Sequence, residues 1–294
     1  MKTASYCRIG SEKDPKKYSI HSQFKMKSSF IQLPSGNIHC LTFGTGPELL
    51  IALHGFSDRA RMFAVLEPAL YENYTVVAVD WPFHGQTVWQ PKTFSKEDLL
   101  DIIRRILAEN GTDRFSLMGF SFGARLAQAM LPELVGQLNK LYLLSPDGVK
   151  TKGMGIASKT PMWVRRLLFI VLQNPGWFIK LLNIGRKIGI TPPLIHHFLT
   201  NNLNRPERFR RTFGCWLALD SFYLRRHTIQ RILRESHLST DVYIGLNDPM
   251  LTQKTIKKLF EGLPNVRISW LKEGHRLIGE QLCEHLKKNS LNAS

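Results

Sequence analysis

Residues 115–131 read FSLMGFSFGARLAQAML. The apolar run at 115–118 predicts a buried strand, and residues 122–131 predict a helix. Between them lies GFSFG, residues 119–123, in which small residues flank Ser121. They let the chain turn sharply, so that the serine hydroxyl stands above the sheet, near the free N–H groups of the following helix. GxSxG alone is common in ordinary turns, but its position between a strand and a helix makes Ser121 a candidate nucleophile.

Short apolar strands alternate with amphipathic helices on both sides of this stretch, as is typical of a parallel sheet covered on both faces. The clearest helix is Lys96–Glu109, with Ser95 and Asp98 as a capping box at its start. Residues 30–42, interrupted by a Pro-Ser-Gly turn, predict an antiparallel hairpin at the sheet edge. The predicted buried strands are 49–53, 76–79, 115–118, 141–144, 242–246 and 266–271.

The alternation stops between residues 148 and 238. This segment is helical in character, is rich in Trp, Leu, Ile and Arg, and is punctuated by prolines. Because the strand pattern resumes at Asp241, we expect a helical insertion between two strands of one sheet. The predicted organisation is a core formed by residues 1–147 and 239–294, with a helical cap at 148–238.

Two late strands end in side chains that could act together with Ser121. Asp248 follows the strand at 242–246, and His275 follows the strand at 266–271. The carboxyl ends of parallel strands lie at one edge of the sheet, where ligands bind in open α/β folds. A serine hydroxyl is a weak nucleophile until an imidazole takes its proton, and a carboxylate holds that imidazole in the useful tautomer. Ser121, His275 and Asp248 are therefore predicted to be nucleophile, base and orienting acid.

Five segments together resemble the α/β-hydrolase superfamily over roughly residues 30–290. The resemblance is to its esterase, lipase and carbon–carbon-bond hydrolase branches, and the order Ser, Asp, His along the chain agrees with it. A serine at the elbow speaks against the dehalogenase and epoxide-hydrolase branches, which use aspartate there. The implied fold is a mostly parallel sheet of about eight strands with helices on both faces and the cap inserted between two strands. The segments are LHGFSD (53–58), VDWPFHGQT (79–87), GFSFG (119–123), GLNDPM (245–250) and EGHRLI (273–278).

The resemblance also implies how the site would work. Ser121 would attack a carbonyl group, an acyl-enzyme would form, and water would release the product. The backbone N–H groups of Phe56 and Phe122 would bind the developing oxyanion. Some family members take the acid from the earlier strand, which leaves Asp147 as an alternative, although the loop around Asp248 better resembles the usual acid loop.

Three other polar residues near the predicted site are interpreted as structural rather than reactive. His54 follows the strand at 49–53, and Asp80 and His84 follow the strand at 76–79. In the family that the sequence resembles, residues at the latter positions support the scaffold or the rim of the pocket.

The predicted cap indicates what the site would accept. The chain has a formal net charge of +17, and residues 151–236 contain fifteen Lys and Arg against three Asp and Glu. Such a field attracts anionic substrates or an anionic membrane surface, although a merely solvated surface is equally consistent with it. Trp and Leu recur at helical spacing near Trp163 and Trp177, which indicates either packing of the cap or an apolar acyl slot.

We therefore expect a serine hydrolase, similar to carboxylesterases and lipases, that cleaves a small-molecule ester with an apolar acyl chain. Two alternatives stay open: a carbon–carbon-bond hydrolase of a diketo acid, and a ligand-binding receptor or scaffold that keeps the fold. The sequence has no phosphate-binding loop, dinucleotide fingerprint or metal-ligand spacing, so we expect neither a cofactor nor a metal. The basic charge lacks a recognition motif, so nucleic acid is not an expected partner.

The expected location is the cytoplasm. The first thirty residues are polar and basic, without the apolar segment of a signal peptide. The four cysteines (Cys7, Cys40, Cys215 and Cys283) are far apart and form no CxxC pair, so reduced thiols are the simpler interpretation.

Overall fold

A nine-stranded sheet organises the part of the protein that the structure describes. The structure is a computed structural model that describes residues 26–91, 93–146, 175–192, 196, 200, 211, 214–215, 218 and 221–291. The strands are β1 (Lys27–Leu33), β2 (Gly36–Phe43), β3 (Glu48–Leu53), β4 (Tyr74–Val79), β5 (Val88–Trp89), β6 (Phe115–Phe120), β7 (Leu138–Leu144), β8 (Ser239–Gly245) and β9 (Val266–Leu271).

The order of the strands across the sheet is β1-β2-β4-β3-β6-β7-β8-β9, and the short β5 pairs with β2. From β4 to β9 along this order every neighbouring pair is parallel, whereas β2 pairs antiparallel with β1, β4 and β5. The carboxyl ends of β6, β7, β8 and β9 therefore lie side by side at one edge of the sheet.

Helices connect the strands. Short 3₁₀ helices also occur at Ala60–Leu66 and Val135–Gln137. No helix in the part of the chain that the structure describes is both long and apolar enough to span a bilayer. The α-helices with described bounds are α1 (Glu67–Leu70), α2 (Lys96–Glu109), α3 (Phe122–Ala129), α4 (Leu131–Leu134), α5 (Pro175–Lys187), α6 (Arg226–Ser236), α7 (Gln253–Phe260) and α8 (Glu280–Leu291).

Two apolar clusters cover the two faces of the sheet. In β3, Ile51 and Leu53 belong to one cluster, which also contains the buried residues of α2, α3, α6 and α7. Leu50 and Ala52 belong to the other cluster, with buried residues of α1 and α8. Because side chains alternate between the faces of a strand, burial on both faces requires continuous apolar runs. The predicted fold class, a mostly parallel sheet with helices on both faces, is confirmed.

The predicted elements are found with shifted ends. The hairpin is β1–β2, and α2 has its predicted bounds and its capping box. Strand β6 continues two residues beyond the prediction, so Gly119 and Phe120 belong to the strand. The predicted helix at 122–131 ends at Ala129, and a second helix begins at Leu131 because Pro132 lacks the N–H that a continuous helix requires there. The two-residue β5 is too short to show a pattern and was not predicted.

Between Leu144 and Ser239 the chain leaves the sheet, and it returns in β8, parallel to β7. The elements with described bounds in this interval are the helices α5 and α6. Much of the predicted cap, including Trp163, lies outside the described residues. The cap at 148–238 therefore stays a prediction.

Helix α3 begins in close contact with the end of β3. A Cβ atom on Gly123 would lie 1.9 Å from the carbonyl oxygen of Leu53, and one on Gly119 would lie 2.5 Å from the carbonyl oxygen of Gly123. Both distances are far below van der Waals contact, and the neighbouring atoms are backbone atoms that cannot rotate away. Both glycines of GFSFG are therefore required by packing, in addition to any role in the turn.

We expect Gly123→Ala to lower the free energy of unfolding by about 3 kcal/mol, because α3 must move away from β3. Gly136→Ala is the matched control, since a Cβ there meets nothing within 4 Å. The control should leave stability unchanged or raise it by up to about 1 kcal/mol. Urea denaturation followed by circular dichroism measures both, and equal stability of the two variants would contradict the packing described here.

Candidate active site

Ser121 lies on a strained turn between β6 and α3. Its φ is 49° and its ψ is −111°, in a region that residues other than glycine rarely adopt. Its N–H donates to the carbonyl oxygen of Leu144 in β7 at 2.8 Å, and its own carbonyl oxygen accepts from Ala124 and Arg125 in α3. These contacts maintain the strain, and the turn presents the side chain at the edge of the sheet.

The structure brings the side chains of Ser121, His275 and Asp248 into one hydrogen-bonded chain. Ser121 Oγ lies 2.9 Å from His275 Nε2, and His275 Nδ1 lies 2.7 Å from Asp248 Oδ2. A carboxylate can only accept a hydrogen bond, so a neutral imidazole carries its proton on Nδ1. The Nε2 lone pair then accepts the serine hydroxyl, as removal of its proton requires.

Asp248 is held as a carboxylate. Its side chain is inaccessible to solvent. Its Oδ1 accepts from the backbone N–H groups of Met250 at 2.8 Å and Leu251 at 3.2 Å. Burial raises the pKa of this group, but the hydrogen bonds from His275 and the two backbone donors together outweigh it, so the pKa of Asp248 lies below its usual value. The alternative acid, Asp147, lies outside the described residues.

Two backbone hydrogen bonds join the loops that carry Asp248 and His275. Leu246 N–H donates to the carbonyl oxygen of Leu271 at 2.8 Å, and Asn247 N–H donates to that of Glu273 at 3.0 Å. At the same place, a Cβ on Gly245 would lie 2.2 Å from the carbonyl oxygen of Gly274. Glycine at 245 thus allows the loop before His275 to approach the end of β8. The acid and the base are positioned by this contact.

The two predicted oxyanion donors lie at the ends of neighbouring strands. Phe122 is the first residue of α3, where N–H groups have no partner within the helix. Phe56 lies in the loop after β3, and the next residue, Ser57, donates its N–H to His84 Nε2 at 3.2 Å. Among the described residues, neither the Phe56 nor the Phe122 amide donates to another backbone oxygen outside a helix or strand. Their role as oxyanion donors stays a prediction.

Comparison with known proteins agrees with this architecture. A family model described as the alpha/beta hydrolase fold matches residues 48–183. The thioesterase domain of the curacin biosynthetic pathway superposes with a TM-score of 0.64 at 15% identity, covering 91% of this chain and 99% of that domain. A bacterial membrane phospholipase A superposes with a TM-score of 0.62 at 20% identity, covering 90% and 85%. The chain has the α/β-hydrolase fold.

A human protein named serine hydrolase-like protein is 32% identical to this chain over 128 residues. That match covers 40% of this chain and 63% of the human protein. Other curated relatives are covered to 40% and 47% of their length. The matches therefore span less than two thirds of these relatives, and the structural similarities, all at low identity, concern the fold.

An ion pair that the sequence did not predict connects the two loops nearest Ser121. Arg276 Nη2 lies 2.5 Å from Asp58 Oδ1. Arg276 follows the candidate base, and Asp58 comes two residues after the candidate donor Phe56. The motifs LHGFSD and EGHRLI contain both residues, but nothing in either motif indicates that they meet.

Asp80 organises the loops beside the site. Its Oδ2 accepts from His39 Nδ1 at 2.7 Å and from the N–H of Gln86 at 3.1 Å, and its Oδ1 accepts from the N–H of Ala60 at 2.6 Å. A Cβ on Gly85 would overlap this carboxylate. These bonds agree with the interpretation of Asp80 as structural.

His54 and His84 are buried beside Asp80 and are held neutral. Burial lowers the pKa of His54, although Asp80 opposes the shift, and burial lowers the pKa of His84 further. His84 Nδ1 donates to the carbonyl oxygen of Pro82 at 3.0 Å, which leaves Nε2 to accept from Ser57. With both ring nitrogens of His84 occupied, its structural interpretation also holds.

A second hydrogen-bonded series of serine, histidine and aspartate lies among the residues that the structure describes. Ser28 Oγ lies 2.9 Å from His39 Nε2, and His39 Nδ1 lies 2.7 Å from Asp80 Oδ2. These distances equal those at Ser121. However, Ser28 lies within the extended strand β1, without a strained turn or a helix N-terminus beside it. Ser28 is therefore a matched control for the chemistry of Ser121.

We expect Asp248→Asn to reverse the tautomer of His275 without unfolding the site. The backbone donors Met250 and Leu251 favour the amide oxygen at the Oδ1 position, so the NH₂ group replaces Oδ2 and donates to His275 Nδ1. The imidazole proton then moves to Nε2, which can no longer accept from Ser121.

Long-range proton–nitrogen NMR on protein with isotopically labelled histidine measures the tautomer, and His275→Gln assigns the signals. Asp58→Asn is the control, because it removes a nearby carboxylate that does not contact the imidazole. A protonated Nδ1 in Asp248→Asn, as in the wild type, would refute the assignment of Asp248 as the orienting group.

Proposed function

We propose that this protein is a serine hydrolase that cleaves carboxylic esters through a covalent acyl-enzyme on Ser121. The observation that carries the proposal is the hydrogen-bonded chain from Ser121 through His275 to Asp248. Its serine lies on a strained turn at the start of α3. In proteins with the α/β-hydrolase fold, this combination is that of an activated nucleophile.

In the proposed first half-reaction, Ser121 is the nucleophile, and His275 acts first as a base and then as an acid. As Ser121 Oγ bonds to the carbonyl carbon of the ester, His275 Nε2 takes the hydroxyl proton. The carbonyl oxygen becomes an oxyanion, to which the Phe56 and Phe122 N–H groups donate. When the carbon–oxygen bond to the leaving group breaks, His275 returns its proton to the departing alkoxide. An alcohol leaves, and the acyl group stays on Ser121.

The second half-reaction repeats these steps with water. His275 removes a proton from the attacking water molecule, the oxyanion forms again, and Ser121 Oγ departs with the proton that His275 returns. The product is a carboxylic acid. During each transfer, the Asp248 carboxylate stabilises the imidazolium and keeps its orientation.

The start of α3 is suited to the charge that develops. Phe122 is the first residue of α3, so its N–H has no acceptor within the helix, and the partial positive charge at a helix N-terminus favours a nearby anion. Removing one donor from an oxyanion hole typically costs about 3 kcal/mol in the transition state. The same donor has little effect on the uncharged ester, so its contribution concerns rate rather than binding.

Apolar side chains next to the site support an ester with an apolar acyl chain. Phe56, Leu246 and Met250 are large and exposed. Phe56 carries one candidate oxyanion donor, and the other two each lie two residues from Asp248. Phe120, buried at the end of β6, has its ring 5.7 Å from that of His275. Covering exposed apolar groups of this kind with a hydrocarbon chain removes them from water and therefore favours binding.

We expect a fluorophosphonate probe to label the wild-type protein and not Ser121→Ala. The probe reacts with serines that an imidazole deprotonates and whose attack is stabilised by nearby oxyanion donors. Ser28→Ala should be labelled like the wild type, because Ser28 has the same hydrogen bonds without the strained turn. Labelling is read by intact-mass spectrometry.

Labelling that persists in Ser121→Ala, or that disappears in Ser28→Ala, would contradict the assignment of the nucleophile. A folded wild type that resists the probe but binds small ligands would favour the alternative of a receptor that keeps the fold.

Ester substrates of graded length test the proposed acyl site. With p-nitrophenyl esters we expect kcat/KM to rise about three- to fourfold for each methylene added, until the site is filled. Ser121→Ala should lower kcat by at least about 10⁴-fold. Equal rates for acetyl and longer esters would remove the apolar site from the proposal. Cleavage of a dienoic diketo acid, measured as a loss of ultraviolet absorbance, would favour the carbon–carbon-bond hydrolase if the protein does not hydrolyse esters.

A further inference from the structure

Helix α5 exposes a stripe of large apolar side chains. Their spacing of four, three and four residues places them within roughly 60° on one face of a helix. After α5 ends at Lys187, the N–H of Ile188 still donates to the carbonyl oxygen of Ile184 at 3.1 Å, so the stripe continues into the next residue. Each side chain is between 43% and 63% exposed: Trp177, Leu181, Ile184 and Ile188.

The opposite face of α5 attaches the helix to the rest of the protein. Leu182 is buried, and Phe178 and Ile179 are half-buried. The helix is thus apolar on two sides, and among the described residues only one of these sides is buried. Exposed apolar stripes of this size on helices mark surfaces that bind another apolar phase or a partner.

Positive charge borders the exposed stripe. Lys180 and Lys187 project along one edge of it, and Arg186 is also exposed. Residues 175–192 contain no Asp or Glu. An apolar face bordered by lysines, with tryptophan near one end, matches the chemistry of helices that lie in the interface of an anionic bilayer.

We propose that the exposed face of α5 docks this protein on an anionic lipid bilayer. The apolar stripe enters the boundary between headgroups and acyl chains, and the lysines contact the lipid phosphates and carboxylates. A contact between two copies of the chain fits less well. In a two-fold arrangement of antiparallel α5 helices, the lysine edges of both copies lie along the same contact and repel each other. The proposal does not depend on the chemistry of Ser121.

Co-sedimentation of the full chain with vesicles tests the proposal. The vesicles consist of phosphatidylcholine, either pure or with roughly one third phosphatidylserine. We expect the wild type to partition more than about tenfold better onto the anionic vesicles. Added salt should weaken that preference, because it screens the charges.

Two double variants separate the apolar and the charged contributions. Leu181→Ser with Ile184→Ser should lower partitioning at least about tenfold on both kinds of vesicle. Lys180→Gln with Lys187→Gln should lower it by about 20- to 30-fold on anionic vesicles only. The controls are Val88→Ser, which removes an exposed apolar side chain from the sheet, and Lys254→Gln with Lys257→Gln in α7. Both controls should bind like the wild type.

Fluorescence quenching tests the same contact in the wild type, so this measurement does not depend on whether a variant folds. Lipids with brominated chains should quench the fluorescence of the wild type, and the conservative change Trp177→Phe should remove most of that quenching. The proposal is overturned if the wild type does not bind anionic vesicles, or if the two α5 variants bind as well as their controls. It is also overturned if ultracentrifugation shows a dimer that Leu181→Ser with Ile184→Ser dissociates while vesicles are not bound.

Discussion

The 2.9 Å hydrogen bond between Ser121 Oγ and His275 Nε2 is the interaction on which the candidate site depends. Its two atoms belong to residues 154 positions apart, and they meet because parallel pairing places the ends of β6, β7, β8 and β9 at one edge. Two close backbone approaches then set the distance. Gly123 lets α3 begin against β3, and Gly245 lets the loop before His275 reach the end of β8. A side chain at either glycine would move one partner of the bond.

The sequence sufficed to predict the parallel sheet and the three residues that meet. Apolar runs identify strands that are buried on both faces, and Ser121, Asp248 and His275 each follow such a run. Other features could not be predicted, because they depend on pairs of residues that are distant in the chain. Asp58 and Arg276 resemble ordinary surface charges in the sequence, although they form an ion pair. The exposed stripe of α5 has the same periodicity as a buried one, so only the structure distinguishes the exposed apolar face from the buried one.

Two serine–histidine–aspartate hydrogen-bonded series with equal distances lie among the described residues, and they differ in the backbone around the serine. One series connects Ser28 in β1 through His39 in β2 to Asp80, which follows β4. The Asp80 carboxylate also accepts from the backbone N–H groups of Ala60 and Gln86. At Ser121 the backbone is strained, and the N-terminus of α3 lies directly behind the hydroxyl. The imidazole accepts the serine proton and so makes the serine oxygen nucleophilic, whereas donors for the oxyanion lower the free-energy barrier of the reaction. We therefore propose the reactive role for Ser121 and a structural role for Ser28.

The most direct test of the Ser121 assignment is to trap the acyl group itself. A p-nitrophenyl ester whose acyl-enzyme is hydrolysed slowly is mixed with the protein, the reaction is quenched in acid within the first turnover, and the digested protein is mapped by mass spectrometry. The account predicts a mass increase equal to the acyl group on the peptide that contains Ser121, together with one equivalent of released p-nitrophenol. Release of p-nitrophenol without any acylated peptide, or acylation at another residue, would contradict it.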